Sequence, residues 1–174
     1  MTSLHSIRPS ADEHAAYYGT YIGAVPDGDI LATLSQQLES TPALLRGLSD
    51  QQGMFAYAEG KWNLKEVVGH IIDCERIFAY RALRIARGDQ TPLPSFAEND
   101  FAKFGGYASR TLSDITDEFQ HLRVSTLDLL SHLDESAWVR RGIASNNPVS
   151  VRAMAWIIAG HERHHMNIIR ERYL

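Results

Sequence analysis

Apolar residues recur at alternating intervals of three and four along four stretches of the chain. These stretches cover residues 31–48, 64–85, 112–133 and 151–168. Such spacing places the apolar side chains on one face of a helix, as in helices that pack in a bundle. No comparable alternation with a period of two competes with it. We therefore predict an all-α protein built as a four-helix bundle.

Residues that favour helix starts precede three of these stretches. Asn63 is followed three residues later by Glu66, which is the spacing of a capping box. Thr111 and Asp114 form a weaker version of the same pattern before the third stretch, and Asn147-Pro148 and Ser150 offer start signals for the fourth. These residues predict that the helices begin close to positions 63, 111 and 147–150.

Two features interrupt the regular pattern. Pro42 lies inside the first stretch, so we predict a kink there, or a break after which Thr41 caps a second helical piece. Residues 89–110 contain two prolines and two glycines and show no helical period. A connection of this length can return the chain to the other end of the bundle before the third helix begins. It therefore permits a long crossover between helices 2 and 3.

Composition narrows the class of protein. A chain of 174 residues is expected to form a single domain, 1–174, in which residues 1–26 are an N-terminal extension. The net charge is −4 and the basic residues are scattered, which argues against nucleic acid as a partner. Neither a membrane-spanning run nor the layout of a signal peptide is visible, so we expect a cytoplasmic protein. The single cysteine, Cys74, excludes an internal disulfide and a Cys-rich zinc site.

Histidines occupy apolar positions in the fourth stretch, within the segment "GHERHH". His161 and His165 lie where the apolar face should continue, about 6 Å apart along the helix axis. His70 borders the apolar face of the second stretch, and His164 lies off the face of its own. Burying unpartnered imidazoles costs several kcal/mol, which a bound metal ion offsets. Three imidazoles with one open position are typical of catalytic metal sites, although a lone His70 also suits a hydrogen-bonded core residue.

The depth of the histidines along their helices agrees with the crossover. His70 lies about 10 Å from the expected start of its helix and His165 about 13 Å from the expected end of its own. The rings of His70, His161 and His165 therefore reach the same level only if the second and fourth helices are antiparallel. An up-down-up-down bundle makes those two helices parallel, whereas a long crossover between helices 2 and 3 makes them antiparallel.

Several neighbours of the histidines have two possible roles. Asp73 is a weak catalytic candidate that orients a ligand or acts as a base, but it also suits a surface charge or a partner for Arg76. Glu66 faces the same way, and its capping role explains it. Cys74 suits a small buried residue better than a fourth ligand, and His164 suits a boundary position better than a replacement for His165.

Other residues are candidates for the walls of a pocket. Trp62 either packs near the site or holds the start of the second helix. The segment "PLPSFAENDF" and the cluster of Tyr17, Tyr18 and Tyr21 suit a lid and a pocket wall, or simple packing over the bundle end. Gly69 and Gly160 precede His70 and His161, so they either allow close approach of other chain segments or leave room for a ligand.

Three segments together resemble the DinB-like (YfiT-like) superfamily of small helical metalloproteins: "GKWNLKEVVGHIIDCERIFAYRALRIARGD", "PLPSFAEND" and "IIAGHERHHMNIIRERYL". The resemblance extends over residues 26–174 and includes every ligand position of the family. It implies a four-helix bundle of up-down-down-up topology. It also implies that His70, His161 and His165 bind a divalent metal ion, commonly zinc or nickel, and that the protein forms a homodimer.

The resemblance leaves several activities open, including whether the protein is an enzyme. Relatives with known activity are mainly thiol-dependent transferases, so we favour a metal-dependent thiol S-transferase that acts on small electrophilic substrates. A low-molecular-weight thiol would then be the co-substrate. A metal-dependent hydrolase is the main alternative. A non-catalytic, stress-related metal-binding protein and a metal-free helical interaction domain are the others.

Overall fold

The computed structural model describes residues 3–174. Its α-helices are α1 (Gly19–Ala24), α2 (Ile30–Leu45), α3 (Asp50–Gly53), α4 (Leu64–Ala86), α5 (Glu98–Phe104), α6 (Leu112–Ser131), α7 (Glu135–Trp138) and α8 (Val151–Arg172). Two short strands, β1 (Arg141–Ala144) and β2 (Asn147–Ser150), form an antiparallel hairpin. Short 3-10 helices cover Leu4–Ser6, Ala11–Glu13, Ala16–Tyr18 and Tyr107–Ser109. Within residues 3–174, none of the helices is long and apolar enough to cross a membrane.

The four long helices, α2, α4, α6 and α8, form the bundle, and capping residues start each of them. The Asn63 side chain accepts a hydrogen bond from the Glu66 amide at 2.9 Å, and the Glu66 carboxylate accepts one from the Asn63 amide at 2.8 Å. Thr111 and Ser150 cap α6 and α8 in the same way, each bonding to the amide three residues on. Asp29 caps α2. The helix starts predicted from Asn63, Thr111 and Ser150 are therefore confirmed, whereas Asn147 and Pro148 lie in β2 and do not start α8.

The directions of the helices confirm the up-down-down-up topology. The Tyr173 hydroxyl, beyond the end of α8, donates to the Trp62 carbonyl just before α4, so these two helices are antiparallel. Asp50 joins the starts of α4 and α6, since it accepts from the Leu112 amide at 2.7 Å and pairs with Lys65 at 3.2 Å. Helices α4 and α6 are therefore parallel. Arg46, just after α2, pairs with Asp117 near the start of α6 at 2.7 Å. Helices α2 and α6 are therefore antiparallel.

The crossover between α4 and α6 contains more structure than its sequence indicated. Residues 89–110 were expected to lack helical structure, yet α5 lies within them. The crossover is also held against the hairpin by two backbone hydrogen bonds. The Leu93 amide donates to the Ile143 carbonyl, and the Ser145 amide donates to the Leu93 carbonyl, both at 2.9 Å. These contacts fix the path of the crossover beside the hairpin.

The β1–β2 hairpin was not predicted. Each strand has only four residues, so the sequence is too short to show a period of two. The turn places Ser145 and Asn146 in the left-handed region, with φ of 51° and 63°. Non-glycine residues rarely adopt this conformation, and Asn is among the residues that tolerate it best. Gly142 lets β1 lie directly on α4, because a Cβ there would be 2.7 Å from the Ile85 side chain.

Some predicted helix details are wrong. Of the kink or break predicted at Pro42, the break does not occur, because Pro42 lies inside α2, which continues to Leu45. Thr41 does not cap a second piece, since its hydroxyl donates to a buried glutamate of α8. Leu48 and Leu133 belong to the predicted apolar faces but lie beyond the ends of α2 and α6. The predicted face of α6 also omitted Arg123, which is fully buried.

The hydrophobic core consists of two clusters that meet at the level of the histidines. One contains Ile71 of α4 and Met166 of α8 and lies towards the start of α4. The other contains Phe78 of α4 and Ile158 of α8 and lies towards the end of α4. In α8 the histidines fall between residues of the two clusters, and in α4 His70 lies one turn before Cys74, the first α4 residue of the second cluster. A polar layer therefore crosses an otherwise apolar core.

The segment before α1 packs on the bundle through ionic contacts. The buried carboxylate of Glu13 accepts from the Ser150 hydroxyl at 2.7 Å and pairs with Arg152. Arg8 donates to the Val25 carbonyl at 2.8 Å, and its guanidinium lies 4.6 Å from the centre of the Trp156 ring. These contacts of Arg8 and Glu13 hold the segment before α1 against α8 and so position the tyrosine cluster that follows it.

Candidate metal centre

Three histidines from two helices meet in the polar layer. His70 comes from α4, and His161 and His165 come from α8. One nitrogen from each ring can be chosen so that the three atoms all lie within 4.8 Å of one another. The Nε2 atoms of His70 and His161 are 3.1 Å apart, and the ring centres of His161 and His165 are 4.5 Å apart. The structure thus brings together the three residues that the sequence selected.

Burial keeps these imidazoles neutral at pH 7. His70 and His161 are buried, and His165 is partly buried. Loss of solvation lowers the pKa of His70 to about 4. Loss of solvation, reinforced by the charges of nearby histidines, lowers the pKa of His165 to about 3 and that of His161 well below its usual value. A neutral imidazole has a free lone pair, which is the form that binds a metal ion.

The donor set fits a divalent ion of the zinc type. Imidazole nitrogens bind zinc at about 2.1 Å, so two of them on one tetrahedral ion lie about 3.4 Å apart. The contact of 3.1 Å between the Nε2 atoms of His70 and His161 is close to this value. The group that these residues form includes no carboxylate or thiol. Three histidines leave at least one coordination position open to a ligand from outside the protein.

Aromatic rings surround the cluster. The Trp62 ring lies 4.9 Å from the His70 ring, and the Tyr21 and Phe78 rings lie 5.3 Å and 5.8 Å from the His161 ring. Trp62 therefore packs on the site as well as preceding α4. These rings orient the imidazoles and limit the access of water to them.

Cys74 lies against His70 without joining the histidine group. Its sulfur is 3.7 Å from the Nδ1 atom of His70, and the residue is buried. Burial, the largest cause, and the negative charges of nearby carboxylates raise the pKa of this thiol far above its usual range. Cys74 therefore stays protonated at neutral pH, and its place in the core agrees with the structural role expected from the sequence.

The other polar candidates have partners of their own. The Asp73 carboxylate accepts a hydrogen bond from the Tyr107 hydroxyl at 2.9 Å, while Arg76 pairs with Glu118. The partner of Asp73 is therefore Tyr107 and not Arg76, as one of its predicted roles required. Burial raises the pKa of the Asp73 carboxyl group. His164 is half-buried and packs on the Tyr21 ring, with 5.2 Å between the ring centres.

The two glycines beside the histidines allow close approach of other segments. A Cβ at Gly69 would lie 2.2 Å from the Tyr107 ring, and a Cβ at Gly160 would lie 2.1 Å from the backbone oxygen of Tyr21. The second contact is with backbone, which cannot rotate away. Gly160 therefore allows α1 to lie directly on α8 beside His161.

Two cavities adjoin the histidines. The first has a volume of about 260 Å³ and is lined by residues that include His165, Trp62, Lys61, Asn99 and Tyr173. The second has a volume of about 340 Å³, and its wall includes His161, Cys74, Phe96, Glu98 and the tyrosines at 17, 18 and 21. The start of α5 contributes to both cavities. The crossover segment and the tyrosine cluster thus form pocket walls, which is one of the two roles predicted for them; the other was packing over the bundle end.

Some polar residues near the site were missed in the sequence. Arg123 is buried between Glu75 and Glu162. Its Nη2 atom lies 2.5 Å from the carboxylate of Glu162, the residue that follows His161. Arg81 is buried beside the second cavity. Glu98, which belongs to the segment predicted as a lid or pocket wall, lines that cavity. The helical period places Arg123 next to a predicted apolar position but does not show that it is buried. Only contacts between distant segments identify these residues.

Comparisons with known proteins agree with this architecture. The model of the DinB superfamily matches residues 33–169. The structure of YfiT from Bacillus subtilis, described as a probable metal-dependent hydrolase with an unusual four-helix bundle topology, superposes with a TM-score of 0.70 at 19% identity, covering 95% of this chain and 91% of that one. The mycothiol-dependent maleylpyruvate isomerase superposes with a TM-score of 0.65 at 15% identity, covering 83% of this chain and 61% of that one.

Both identities are low, so the two structural matches support the fold alone. No curated protein matches this chain by sequence. The family model covers most of the chain, including all three histidines of the cluster. This chain therefore belongs to the DinB superfamily.

Proposed function

We propose that this protein binds a divalent metal ion through His70, His161 and His165, and that it is a metal-dependent thiol S-transferase acting on small electrophilic substrates. The observation that carries the proposal is the position of three neutral imidazoles where two separate cavities reach the same cluster. A transferase of this kind has to bring two substrates together, one thiol and one electrophile. Zinc and nickel are the metals that we expect.

The chemistry required of the metal is simple. His70, His161 and His165 would hold the ion, which would favour the thiolate form of a thiol at neutral pH. The protein has no thiolate of its own, because burial keeps Cys74 protonated. The reacting sulfur must therefore come from a low-molecular-weight thiol in solution.

The protein contributes position and exclusion of water. His165 adjoins one cavity and His161 the other, so a thiol and an electrophile can approach the cluster through different openings. Trp62 covers His70, while Tyr21 and Phe78 pack on His161. Such packing limits hydrolysis of a reactive electrophile.

A metal-dependent hydrolase is the second candidate, and Glu98 is the observation that favours it. This carboxylate lines the same cavity as His161, where it can accept a proton from an attacking water molecule. The similarity in fold to YfiT, which is described as a probable metal-dependent hydrolase, agrees with this alternative.

The experiment combines metal analysis with turnover of model substrates. We expect about one divalent ion per chain in the purified protein, and a large loss of metal in His161→Ala. His121→Ala is the matched control, because His121 is exposed and lies on α6 outside the cluster. Full metal content in His161→Ala contradicts the assignment of that ligand.

Turnover separates the candidates. Consumption of 1-chloro-2,4-dinitrobenzene that requires both the metal and an added thiol supports the transferase. Cleavage of 4-nitrophenyl acetate that requires the metal but no thiol supports the hydrolase instead. Bound metal without either reaction indicates a non-catalytic metal-binding protein and refutes both enzymatic proposals.

A further inference from the structure

Two arginines are buried in the bundle, and only one of them has a counter-charge. Arg123 is fully buried and pairs with Glu75 at 2.7 Å and with Glu162 at 2.5 Å. Arg81 of α4 is only 2% exposed. Among residues 3–174, no carboxylate oxygen lies within 4.0 Å of its guanidinium.

Arg81 lies behind the wall of the second cavity, the one that His161 adjoins. Its Nη2 atom donates to the Pro94 carbonyl at 2.6 Å and to the Ser145 hydroxyl at 3.0 Å. The guanidinium carbon lies 5.9 Å from the centre of the Phe96 ring. Ser145 and Phe96 both line the cavity. Both hydrogen bonds use one nitrogen of the guanidinium, and both acceptors are uncharged.

The charge of Arg81 reaches the interior of this cavity. Burial raises the pKa of Tyr18, which lines the cavity, and the positive charge of Arg81 opposes that change. The positive potential therefore extends from the guanidinium to the wall that a ligand would touch.

A buried cation without a counter-charge is costly, since removing one charge from water costs several kcal/mol. The other buried cations are paired: Arg123 with two glutamates, and Lys65 with Asp50. A carboxylate in the second cavity, beside Ser145 and Phe96, would place the missing charge close to the guanidinium.

We propose that the second cavity binds small carboxylate-bearing substrates and that Arg81 recognises their carboxylate group. The inference rests on the proposed function for the statement that the ligand is a substrate, and it deepens that function by naming the substrate class. Glu98 lines the same cavity and repels further negative charge, so a ligand with one carboxylate fits better than one with two.

The test compares two probes of nearly the same shape, 4-fluorophenylacetate and 4-fluorophenylacetamide, by fluorine NMR titration. Metal-free protein is used first, because a bound metal ion also attracts carboxylates. We expect the wild-type protein to bind the acid at least ten times more tightly than the amide. Equal binding of the two probes by the wild-type protein overturns the proposal without any variant.

Variants assign the preference to Arg81. Arg81→Met should lose the preference for the acid, and Arg81→Lys should keep part of it. Arg84→Met is the matched control, because Arg84 lies one turn further along α4 and pairs with Asp89 on the surface. An Arg81→Met protein that keeps the folded circular dichroism spectrum and the preference for the acid contradicts the assignment.

Two further measurements complete the design. Glu98→Gln should tighten binding of the acid and leave binding of the amide unchanged; weaker binding of the acid contradicts the electrostatic argument. Displacement of the probe by 3-mercaptopropionate or by acrylate shows whether the thiol or the electrophile carries the carboxylate, and displacement by neither overturns the claim that it is a substrate. The titration needs neither metal nor turnover, so its failure is distinguishable from failure of the proposed function.

Discussion

Acidification should destabilise the metal-free protein through its buried histidines. In the unfolded chain a histidine has a pKa near 6.5, whereas in the fold the pKa is about 4 for His70 and about 3 for His165. Above pH 6.5 these side chains are neutral in both states and do not change the free energy of unfolding. As the pH falls below 6.5, the unfolded chain takes up protons that the folded chain does not. Stability is therefore lost progressively from pH 6.5 down to the folded pKa values.

The size of the effect follows from the same pKa values. For one such histidine, the free energy of unfolding falls by about 2 kcal/mol between pH 7 and pH 5. His70 and His165 together lose about 4 kcal/mol, and His161 adds to the loss because its pKa is lowered as well. This is a large share of the stability of a domain, which is typically about 5–15 kcal/mol.

Carboxylates also titrate and have to be separated from the histidines. Burial raises the pKa values of Asp73 and Glu162 above their usual values, so the folded state binds their protons more tightly than the unfolded state as the pH falls. At Asp89 the hydrogen bond from Arg84 lowers the pKa to about 2, so this carboxylate acts in the same sense as the histidines. The informative quantity is therefore the difference between the wild-type protein and a variant that lacks one buried histidine.

The assay is urea denaturation at pH 7 and pH 5, with a chelator present and the ionic strength held constant. His70→Gln removes one titrating group, so its loss of stability between the two pH values should be smaller than that of the wild-type protein by about 2 kcal/mol. His121→Gln, which removes an exposed histidine, should lose as much as the wild-type protein. If His70→Gln and the wild-type protein lose the same amount, burial of a neutral His70 is wrong.

Three further substitutions test the packing around the site. Gly160→Ala should lower the free energy of unfolding by about 2 kcal/mol or more, because its methyl group would overlap a backbone oxygen of α1 at 2.1 Å. Gly23→Ala is the control, because nothing lies within 4 Å of a Cβ at that position. Equal urea midpoints for the two variants contradict the close approach of α1 to α8. Arg123→Met should cost about 3–5 kcal/mol in urea denaturation, because it leaves two buried carboxylates unpaired; a loss below 1 kcal/mol refutes that reasoning. Asp73→Asn should cost about 1 kcal/mol through one weakened hydrogen bond and leave the metal content unchanged, so loss of metal in this variant makes the aspartate part of the site.

The helices and their starts could be predicted because their causes are local. The capping pair of Asn63 and Glu66 involves residues three apart, and the apolar face of α4 repeats within two turns. The convergence of His70, His161 and His165 followed from the same arithmetic together with the length of the crossover. That they bind metal stays a prediction, which the elemental analysis described above tests.

Other features depend on contacts between distant segments. The β1–β2 hairpin has strands too short for a pattern and is completed by pairing of Ala144 with Leu93 of the crossover. The helix α5 within the crossover was not visible as a period. The burial of Arg123 is possible only because glutamates from α4 and α8 meet it, and neither is near it in sequence.

The amino-acid sequence alone determined which segments are helical, in which order they run and which three histidines share one level, since each depends on periods and caps within a single helix. Only the tertiary structure decided which charged side chains are buried and whether they are paired. Arg81 and Arg123 look alike in the sequence, but Arg123 meets two carboxylates and Arg81 meets the wall of a cavity. Burial of a charge depends on what surrounds it in space, and the residues around both arginines come from separate elements of the fold.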